Sequence, residues 1–463
     1  MIKPVIESIF KAYDIRGIVG KTLTADTAYA VGVALGASAR AKGLTQFVVG
    51  RDGRLSGPML VNALADGLCA VGVSVIDIGM VTTPLVYYAT YELGTGSGVA
   101  VTGSHNPPEY NGLKMMVGGD TLYGETIKAL AAHINSGQLN EVAAGERGKI
   151  TQLDISERYQ HRVVNGIKLA RPMKIAIDCG NGVAGAYAAK LYRALGCEVH
   201  ELFCDVDGNF PNHHPDPAHV ENLQDLMKAL RATDAEIGLA FDGDGDRLGV
   251  VTKTGKVIFP DRQLMLFAAD VLERVPGGQV IYDVKCSRNV ASWVRKHGGE
   301  PMMWKTGHSL VKAKLRETGA PLAGEMSGHI FFKERWYGFD DGLYAGARLL
   351  EILSRSNNAS AVLEALPDSP STPELQLPCA EGENFTVVSE MQRTARFPGA
   401  TEVITIDGVR AEYPDGFGLA RPSNTTPVVV MRFEADSAVA LARIQASFKQ
   451  AILAIKPDAK LPF

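Results

Sequence analysis

The sequence has little of what marks several common protein classes. Its six cysteines are scattered along 463 residues without a C-x-x-C pair, so we interpret them as reduced thiols of a cytosolic protein. The net charge is −4, which argues against a general nucleic-acid or membrane-surface binder. No apolar run approaches membrane-spanning length, and the N-terminus lacks the pattern of a signal peptide. We therefore expect a soluble cytoplasmic enzyme, and since no interface signal is visible we expect a monomer.

What the chain does contain is a local pattern that occurs three times. Hydrophobic residues make up 46% of the sequence, enough for packed cores, and the length is typical of about three domains. An apolar run, a polar turn and a helical segment follow one another at 47–60, 174–191 and 279–294. A second apolar run then ends in an unusual polar loop at 98–108, 237–247 and 321–332. Strand, loop and helix form the βα unit of a parallel sheet, so we predict three related α/β domains.

The C-terminal part of the chain has a different pattern. Residues 366–378 are rich in proline and serine and predict a linker. Alternating segments at 383–388 and 401–413 and an apolar run at 427–436 are typical of strands, and 437–456 is typical of a helix. This indicates a smaller α+β domain. The predicted domains are 1–150, 151–254, 255–366 and 367–463.

The three polar loops are expected to carry the chemistry. Ligands of parallel α/β sheets bind at the carboxyl ends of the strands, so the loops should meet in a central cleft between domains. In "DGDGDR" the carboxylates of Asp242, Asp244 and Asp246 would repel one another unless a cation holds them together. Oxygen ligands without histidine or cysteine favour Mg²⁺ or Ca²⁺ over zinc. We therefore predict a metal site whose free positions suit a phosphate oxygen.

The other polar motifs are weaker evidence for a function when each is considered alone. Ser104, in "TGSHNPP" at the mouth of a strand, is by itself typical of a turn serine. "GEMSGH" offers Glu325 and Ser327 to sugar hydroxyls and His329 to move a proton, although a capping glutamate and a core histidine fit as well. "RPSNTTP" (421–427) has the composition of a phosphate site or of a polar turn. Further candidate cations lie at Arg16, Lys114, Arg247, Lys285 and His308.

Two motifs suggest other functions. "GNGVAG" (180–185) matches the spacing of a dinucleotide fingerprint, with Glu201 about 20 residues on. Its sibling turns, "GRDGRLSG" and "KCSRNV", indicate that this strand–turn–helix unit need not bind a nucleotide, so an NAD-dependent dehydrogenase is the weaker alternative. "NHHPDPAH" (212–219) could bind zinc through His213, His214 and His219, but its prolines favour a rigid surface loop.

Five motifs together resemble those of the α-D-phosphohexomutase family, in particular its bacterial phosphomannomutase/phosphoglucomutase members. They are "FKAYDIRG", "TGSHNPPEYNGLK", "DGDGDR", "GEMSGH" and "RPSNTTP", in that order across nearly the whole chain. The resemblance implies four domains with mixed sheets around a central cleft. It also implies reversible conversion of hexose 1-phosphates to hexose 6-phosphates of mannose and glucose, an isomerase reaction in the supply of nucleotide-sugar precursors. A metal-dependent phosphoserine phosphatase is the nearest alternative.

The resemblance also implies residue roles and ligands. Ser104 carries the transferable phosphoryl group and, with Asp242, Asp244 and Asp246, holds one Mg²⁺. His329 is the first candidate for the general acid/base, with Lys114 and Arg16 as alternates. Glucose 1,6-bisphosphate is the expected activator and intermediate, and phosphosugars are the expected substrates. The residues expected to bind substrate are Tyr13, Arg16, His105, Lys114, Arg247, Lys285, His308, Glu325, Ser327, His329, Arg421, Ser423, Asn424 and Thr425.

Overall fold

A computed structural model describes residues 3–463, and the chain builds four sheets in succession. The elements of the first domain are β1 (Ile15–Ile18), α1 (Ala25–Ala41), β2 (Gln46–Arg51), α2 (Gly57–Ala70), β3 (Ser74–Met80), α3 (Thr83–Glu92), β4 (Gly98–Val101), β5 (Tyr110–Val117), β6 (Asp120–Thr121), α4 (Glu125–Asn135) and β7 (Ile150–Gln152). Its sheet has the order β1-β5-β4-β2-β3-β7, with β6 paired to β5. Strands β4, β2, β3 and β7 are parallel, whereas β5 is antiparallel to both β4 and β1.

The second and third domains are smaller versions of the same arrangement. The second contains α5 (Ser156–Gly166), β8 (Lys174–Asp178), α6 (Ala188–Ala194), β9 (Glu198–Leu202), α7 (Gln224–Ala232), β10 (Ile237–Phe241), β11 (Leu248–Thr252) and β12 (Val257–Ile258). The third contains α8 (Pro260–Arg274), β13 (Gln279–Asp283), α9 (Arg288–Lys296), β14 (Glu300–Trp304), α10 (His308–Thr318), β15 (Leu322–Gly324), β16 (Ile330–Phe332), α11 (Gly342–Leu353) and α12 (Ala359–Glu364). Their sheets have the orders β12-β11-β10-β8-β9 and β14-β13-β15-β16.

One supersecondary unit recurs in the three α/β domains. A strand that is parallel to its neighbour ends in a polar loop, and the chain returns as an antiparallel strand: β4 to β5, β10 to β11, and β15 to β16. The strands are buried along their length, so only the loops at their carboxyl ends are available to polar ligands. The predicted three-fold pattern is confirmed, and the sheets are mixed because of these returning strands.

The fourth domain is an antiparallel sheet with two helices. Its elements are β17 (Leu375–Pro378), α13 (Glu383–Thr394), β18 (Glu402–Ile404), β19 (Val409–Tyr413), β20 (Gly416–Pro422), β21 (Val428–Ala435) and α14 (Ala438–Ile455), in the sheet order β17-β21-β20-β19-β18. The end of the predicted linker pairs with β21 as β17.

The strand predicted at 383–388 was wrong, because this segment begins α13. The buried side chains of the helix are Asn384, Val387, Val388 and Met391. Their spacing of three, one and three residues places them on one helical face, which the apparent alternation of the first six residues concealed.

Helix α14 is long and apolar enough to cross a membrane by length and composition, with a mean hydropathy of 1.3. This departs from the expectation that no apolar run has such a length. In the structure, Ile444, Phe448 and Ile452 of the helix are buried in the core of the fourth domain, and Phe448 contacts Phe433 of β21 edge to face. The apolar face of α14 is thus the one that covers its own sheet.

One hydrophobic core joins the three α/β domains, and the first domain has a second core of its own. The shared core contains Val86 of the first domain, Ile177 and Leu239 of the second, and Leu264 and Leu343 of the third. The fourth domain has a separate core.

Aromatic rings mark the point where the three domains meet. Trp336 of the third domain stacks on Tyr344 with ring centroids 4.1 Å apart, and it contacts Tyr159 of the second domain and Tyr88 of the first. This joint holds the carboxyl ends of β4, β10 and β15 in one cleft.

Candidate active site

The loop after β4 places Ser104 in direct contact with the acidic loop of the second domain. Ser104 Oγ lies 3.0 Å from Asp242 Oδ2 and 3.1 Å from His105 Nδ1. The serine is buried and has a φ of 48°, in the left-handed region that residues with a side chain seldom adopt. Its backbone N–H donates to Thr102 Oγ1 at 2.7 Å. Ser104 is therefore held in an unusual backbone conformation that aims its hydroxyl at the acidic loop.

The acidic loop carries Asp242, Asp244 and Asp246, all fully buried, after β10. A Cβ on Gly243 would lie 2.3 Å from the carbonyl oxygen of Ser104, so only glycine allows the two loops to touch. One carboxylate oxygen from each aspartate lies within 4.8 Å of the others. Three buried acids so close together repel one another, and burial together with Asp246 and Asp244 raises the pKa of Asp242 well above its usual range.

The donor set fits a hard divalent cation. Oδ1 of Asp244 and Oδ1 of Asp246 are buried without a hydrogen-bond partner, which leaves two oxygen ligands unused. Lys114 Nζ lies 2.8 Å from Asp244 Oδ2 and 2.5 Å from Asp246 Oδ2, and so neutralises only part of the charge. Although burial opposes it, these two carboxylates raise the pKa of Lys114 well above its usual range. Lys114 is therefore a fixed positive charge beside the cluster.

His329, on the sugar loop predicted in the third domain, links that loop to the acidic one. Its Nδ1 lies 3.0 Å from Glu325 Oε2 and 3.1 Å from Ser327 Oγ, and its Nε2 lies 3.4 Å from Asp246 Oδ1. Burial would lower the pKa of His329, but Asp246 and Glu325 outweigh it and raise the pKa to about 9. The two flanking carboxylates therefore favour the protonated ring, the form that donates a proton.

The two other histidines of the cleft have the opposite tendency. Burial and the nearby Arg247 and Arg16 lower the pKa of His105 well below its usual range. Burial and the nearby Lys312 and Lys114 do the same to His308. Because neighbouring charges separate the pKa values, His329 alone among the three is placed to supply a proton near neutral pH.

Arg16 and Arg247 connect the loops rather than lying on the surface. Arg16 Nη1 donates to the carbonyl oxygen of Gly103 at 2.6 Å, and the same guanidinium contacts Asn106 and Asp14. Arg247 Nε lies 3.3 Å from His329 Nε2 and 3.8 Å from Asp242 Oδ2. The structure thus places Arg16 at the loop that carries Ser104 and Arg247 at the acidic loop.

The fourth domain closes one side of the cleft. Arg421 Nε donates to Asp407 Oδ2 at 3.0 Å, and Asp407 also accepts from the backbone N–H of Thr306 in the third domain. The amide of Asn424 contacts the hydroxyl of Tyr13, which donates to the carbonyl oxygen of Thr306 at 2.7 Å. Tyr13 therefore joins the first, third and fourth domains at one point.

The remaining predicted substrate-binding residues lie around the same cleft. Ser423 Oγ lies 3.0 Å from Thr426 Oγ1 and 3.4 Å from Thr425 Oγ1, within the turn between β20 and β21. Lys285, buried after β13, is 2.6 Å from Glu374 Oε1. Arg421 and Lys285 each pair with a carboxylate in this structure, so a phosphate would compete with those acids for them.

Two groups of the site were not predicted. The first is the pair Asp52 and Arg54 after β2, which surrounds the Ser104 loop. The sequence does show a pair of charged residues in the turn after β2. Because β2 and β4 are neighbours in the sheet, that turn could have been predicted to lie beside the Ser104 loop.

The second unpredicted group is Asp340, which is fully buried. It lies 2.9 Å from Lys312 Nζ, 3.8 Å from His329 Nε2 and 3.9 Å from His308 Nδ1. The sequence "FDDGL" ahead of a helix indicates only a helix cap.

In the structure, the loop at 212–219 does not form the zinc site that its histidines suggested. His213 Nε2 pairs with Asp178 at 3.0 Å, and His219 lies beside Asp216 and Glu221. Within residues 3–463, the potential metal clusters are Asp242 with Asp244 and Asp246, and Asp246 with His329 and Asp340. The carbonyl of Pro215 accepts from the N–H of Gly243, so this rigid loop supports the acidic one.

The turn 180–185 uses its backbone N–H groups internally. Gly182 donates to the carbonyl oxygen of Cys179, and Val183 donates to that of Gly243. A pyrophosphate would need such N–H groups free at the helix N-terminus. The dinucleotide alternative therefore has no support in this geometry.

Comparisons with known proteins point in one direction. Family models described as phosphoglucomutase/phosphomannomutase match alpha/beta/alpha domains I, II and III and the C-terminal domain at residues 7–141, 157–255, 259–369 and 374–451. A phosphoglucomutase of Neisseria gonorrhoeae is 61% identical over 449 residues, 97% of each chain. A phosphomannomutase/phosphoglucomutase of Pseudomonas aeruginosa is 54% identical over 457 residues, 98% of each chain.

A solved structure agrees with these matches. The crystal structure of a phosphoglucomutase/phosphomannomutase family protein from Burkholderia thailandensis superposes with a TM-score of 0.94 at 62% identity, and the match covers 99% of this chain and 100% of that one. The phosphatase and dehydrogenase alternatives find no support among these relatives.

Proposed function

The chain belongs to the phosphoglucomutase/phosphomannomutase family, and from this premise we propose that it interconverts the 1-phosphates and 6-phosphates of glucose and mannose. The single observation that carries the proposal is the contact of Ser104 Oγ with Asp242 at 3.0 Å inside a buried cleft. A serine hydroxyl directed at a cluster of three buried acids suits a carrier of phosphate beside a metal ion rather than an acyl nucleophile.

Ser104 would carry the phosphoryl group as phosphoserine. The Oγ–P bond breaks as the phosphoryl group passes to the free hydroxyl of the bound sugar phosphate, which becomes a 1,6-bisphosphate. After the bisphosphate turns over in the cleft, its other phosphoryl group returns to Ser104 and the second hexose phosphate leaves. The same bisphosphate, added as glucose 1,6-bisphosphate, would phosphorylate Ser104 and so activate the enzyme.

Asp242, Asp244 and Asp246, together with Ser104, are the residues that would hold Mg²⁺. When bound, this ion neutralises charge on the phosphoryl oxygens. Lys114 and Arg247 add fixed positive charge at the same place, which favours the developing charge of phosphoryl transfer.

His329 is the proposed general acid/base. In the first transfer the attacking hydroxyl of the sugar passes its proton to the neutral form of His329, and in the second transfer His329 returns a proton to a sugar oxygen. His329 lies in the cleft between two carboxylates, with Nε2 3.4 Å from Asp246 Oδ1 and Nδ1 3.0 Å from Glu325 Oε2. Lys114 is less suited, because it pairs with two aspartates that are themselves proposed Mg²⁺ ligands.

Glu325 and Ser327 are proposed to bind two adjacent sugar hydroxyls, O3 and O4. Contacts of this kind are similar in both orientations of the bisphosphate, and they do not involve the hydroxyl at C2. A site rejects an epimer strongly only when it hydrogen-bonds the hydroxyl concerned, so glucose and mannose should both be accepted.

Arg421, Ser423, Asn424 and Thr425 are proposed to hold the phosphate that is not transferred. The cleft must exclude water or phosphoserine would hydrolyse, and we propose that the fourth domain acts as its lid. Boundaries near those predicted, 1–150, 151–254, 255–366 and 367–463, belong to the same proposal, except that β7 extends the first sheet to Gln152 and β12 extends the second to Ile258. A monomeric state and a cytoplasmic location are part of it as well.

The proposal is tested by assaying purified protein with Mg²⁺ on glucose 1-phosphate and on mannose 1-phosphate, with and without glucose 1,6-bisphosphate. We expect isomerisation of both sugars, and an intact mass about 80 Da higher for protein incubated with the bisphosphate. Ser104→Ala is the matched control for the mass shift. Release of inorganic phosphate without isomerisation would indicate a phosphatase, and no reaction of either sugar under any of these conditions would overturn the proposal.

A further inference from the structure

Arg54 makes an unusually complete set of hydrogen bonds to the loop that carries Ser104. Its Nη2 donates to the carbonyl oxygens of Ser104 at 2.8 Å and Asn106 at 2.5 Å. Its Nη1 donates to those of Pro107 at 2.6 Å and Tyr110 at 2.9 Å. The Nε donates to Asp52 at 3.2 Å, so all five N–H groups of the guanidinium are used.

Asp52 holds the other end of the same loop. Its Oδ2 accepts from Thr102 Oγ1 at 2.7 Å and from the N–H of Gly103 at 3.2 Å. Thr102 Oγ1 in turn accepts from the N–H of Ser104. Asp52 and Arg54 thus fix the backbone on both sides of the serine, one through N–H groups and the other through carbonyl oxygens.

The pair is enclosed by protein. Arg54 is fully buried, and a Cβ on Gly103 would lie 2.4 Å from its guanidinium carbon. The ring of Phe210, from the second domain, lies 5.1 Å from that carbon on another side. Water therefore cannot replace the guanidinium as donor to the four carbonyl oxygens without rearrangement.

The backbone of Ser104 would not keep its conformation without such restraints. A φ of 48° is unfavourable for a residue with a Cβ and persists only where the surroundings determine it. Relaxation of this backbone would rotate Oγ away from Asp242, and small misplacements of a reacting group reduce rates by about 100-fold.

From these contacts we infer that Arg54 is a positioning residue for phosphoryl transfer: with Asp52 it locks Ser104 in the left-handed backbone conformation that aims Oγ at the acidic loop. Arg54 acts through the loop and does not contact the sugar phosphate. The inference rests on the proposed function of Ser104 as phosphate carrier.

The test compares Arg54→Lys with Arg348→Lys. Lysine keeps the positive charge but lacks the planar guanidinium and its five N–H donors. Arg348 is an equally buried arginine that pairs with Asp270 and Glu334 in the third domain, so it controls for loss of a buried ion pair. For each variant we would measure kcat and KM on glucose 1-phosphate, the thermal midpoint, and amide exchange of residues 102–111.

We expect Arg54→Lys to lower kcat by about 100-fold with KM changed less than threefold, because the bound sugar is untouched and the reacting hydroxyl is misplaced. Amides of 102–111 should exchange at least tenfold faster than in the wild type below the unfolding transition. Arg348→Lys should lower the thermal midpoint while keeping kcat and the exchange of this loop.

The outcomes separate this inference from the proposed function. If wild-type protein has no mutase activity, the proposed function fails. The amide exchange of residues 102–111 still tests whether Arg54 restrains the loop that carries Ser104. If Arg54→Lys keeps its kcat, or leaves the exchange of 102–111 as in the wild type, Arg54 has only a structural role and the inference is overturned.

Discussion

The loop that carries Ser104 and the turn that carries Ser423 are restrained to different extents. Around Ser104, charged side chains from outside the loop, Arg54 and Arg16, bind its backbone, and the neighbouring domain packs against it. In the turn at 421–427, the hydroxyl of Ser423 accepts from the N–H of Thr426 at 3.2 Å, and the neutral amide of Asn384 donates to the carbonyl oxygen of Ser423 at 2.9 Å. Residues 425–427 of that turn are exposed.

The difference matches the two tasks of a mutase. The reacting oxygen must occupy one place in both half-reactions, whereas the distal phosphate arrives from either end of the sugar. A restrained loop suits the first task and an adaptable turn suits the second. Substitutions in the two loops should therefore have unequal effects, and the predictions below test that inequality.

The largest effect is expected at the restrained loop. Ser104→Ala removes the proposed phosphate carrier and should lower kcat roughly 10⁴-fold or more, with an unchanged circular dichroism spectrum. Ser423→Ala, the matched change in the adaptable turn, should lower kcat/KM only about tenfold, since the phosphate keeps other donors. Equal losses in the two variants would contradict the comparison.

The next largest effect concerns the acidic loop that touches Ser104. Asp244→Asn removes one charged oxygen from the proposed Mg²⁺ site and should lower kcat by roughly 10²-fold to 10³-fold. It should also raise the Mg²⁺ concentration that gives half-maximal activity, as measured by titration of chelator-treated protein. Full activity of the wild type after exhaustive chelation would show that no divalent ion is required.

A smaller effect is expected for Arg421 in the fourth domain. Arg421→Met removes a charge-assisted donor to the distal phosphate, so KM should rise by roughly 30-fold while kcat falls less. Arg443→Met is the control, because Arg443 forms an exposed pair with Asp415 in the same domain. A fall in kcat alone, with KM unchanged, would mean that Arg421 acts on the transferred phosphate instead.

The smallest effect is on stability and concerns Asp341, at the buried junction of the second and third domains. Burial raises the pKa of Asp341 to about 7, although it accepts hydrogen bonds from Tyr344 N and Tyr159 Oη. A folded-state pKa above the unfolded value stabilises the fold at low pH, and this contribution is lost as pH rises from about 4 to 7.

Asp341→Asn should therefore flatten the pH dependence of the thermal midpoint between pH 4 and 7, with a relative stabilisation on the order of 1 kcal/mol or more at pH 8. Asparagine still accepts the N–H of Tyr344 and so preserves the helix cap. Parallel midpoint curves for the variant and the wild type over this pH range would show that Asp341 does not titrate there.

The sequence predicted the parts of this molecule that depend on local patterns. The three strand–loop units and the meeting of Ser104 with Asp242 followed from apolar runs that end in polar loops. Arg54 and Asp340 were missed because their importance comes from partners that are 50 to 56 positions away or lie in other elements. The helix at 383–394 was missed because its first six residues alternate like a strand, and only Met391 completes the helical spacing.

The division of the hydrophobic core has a thermodynamic consequence. Since one core joins the first three domains, they should unfold as a single cooperative unit, and the loops that meet in the cleft should be lost together. The fourth domain has its own core and can melt in a separate transition. Protein in which only that domain has melted would keep Ser104 against the acidic loop, yet it would lose the residues proposed to hold the distal phosphate and would expose phosphate on the serine to water.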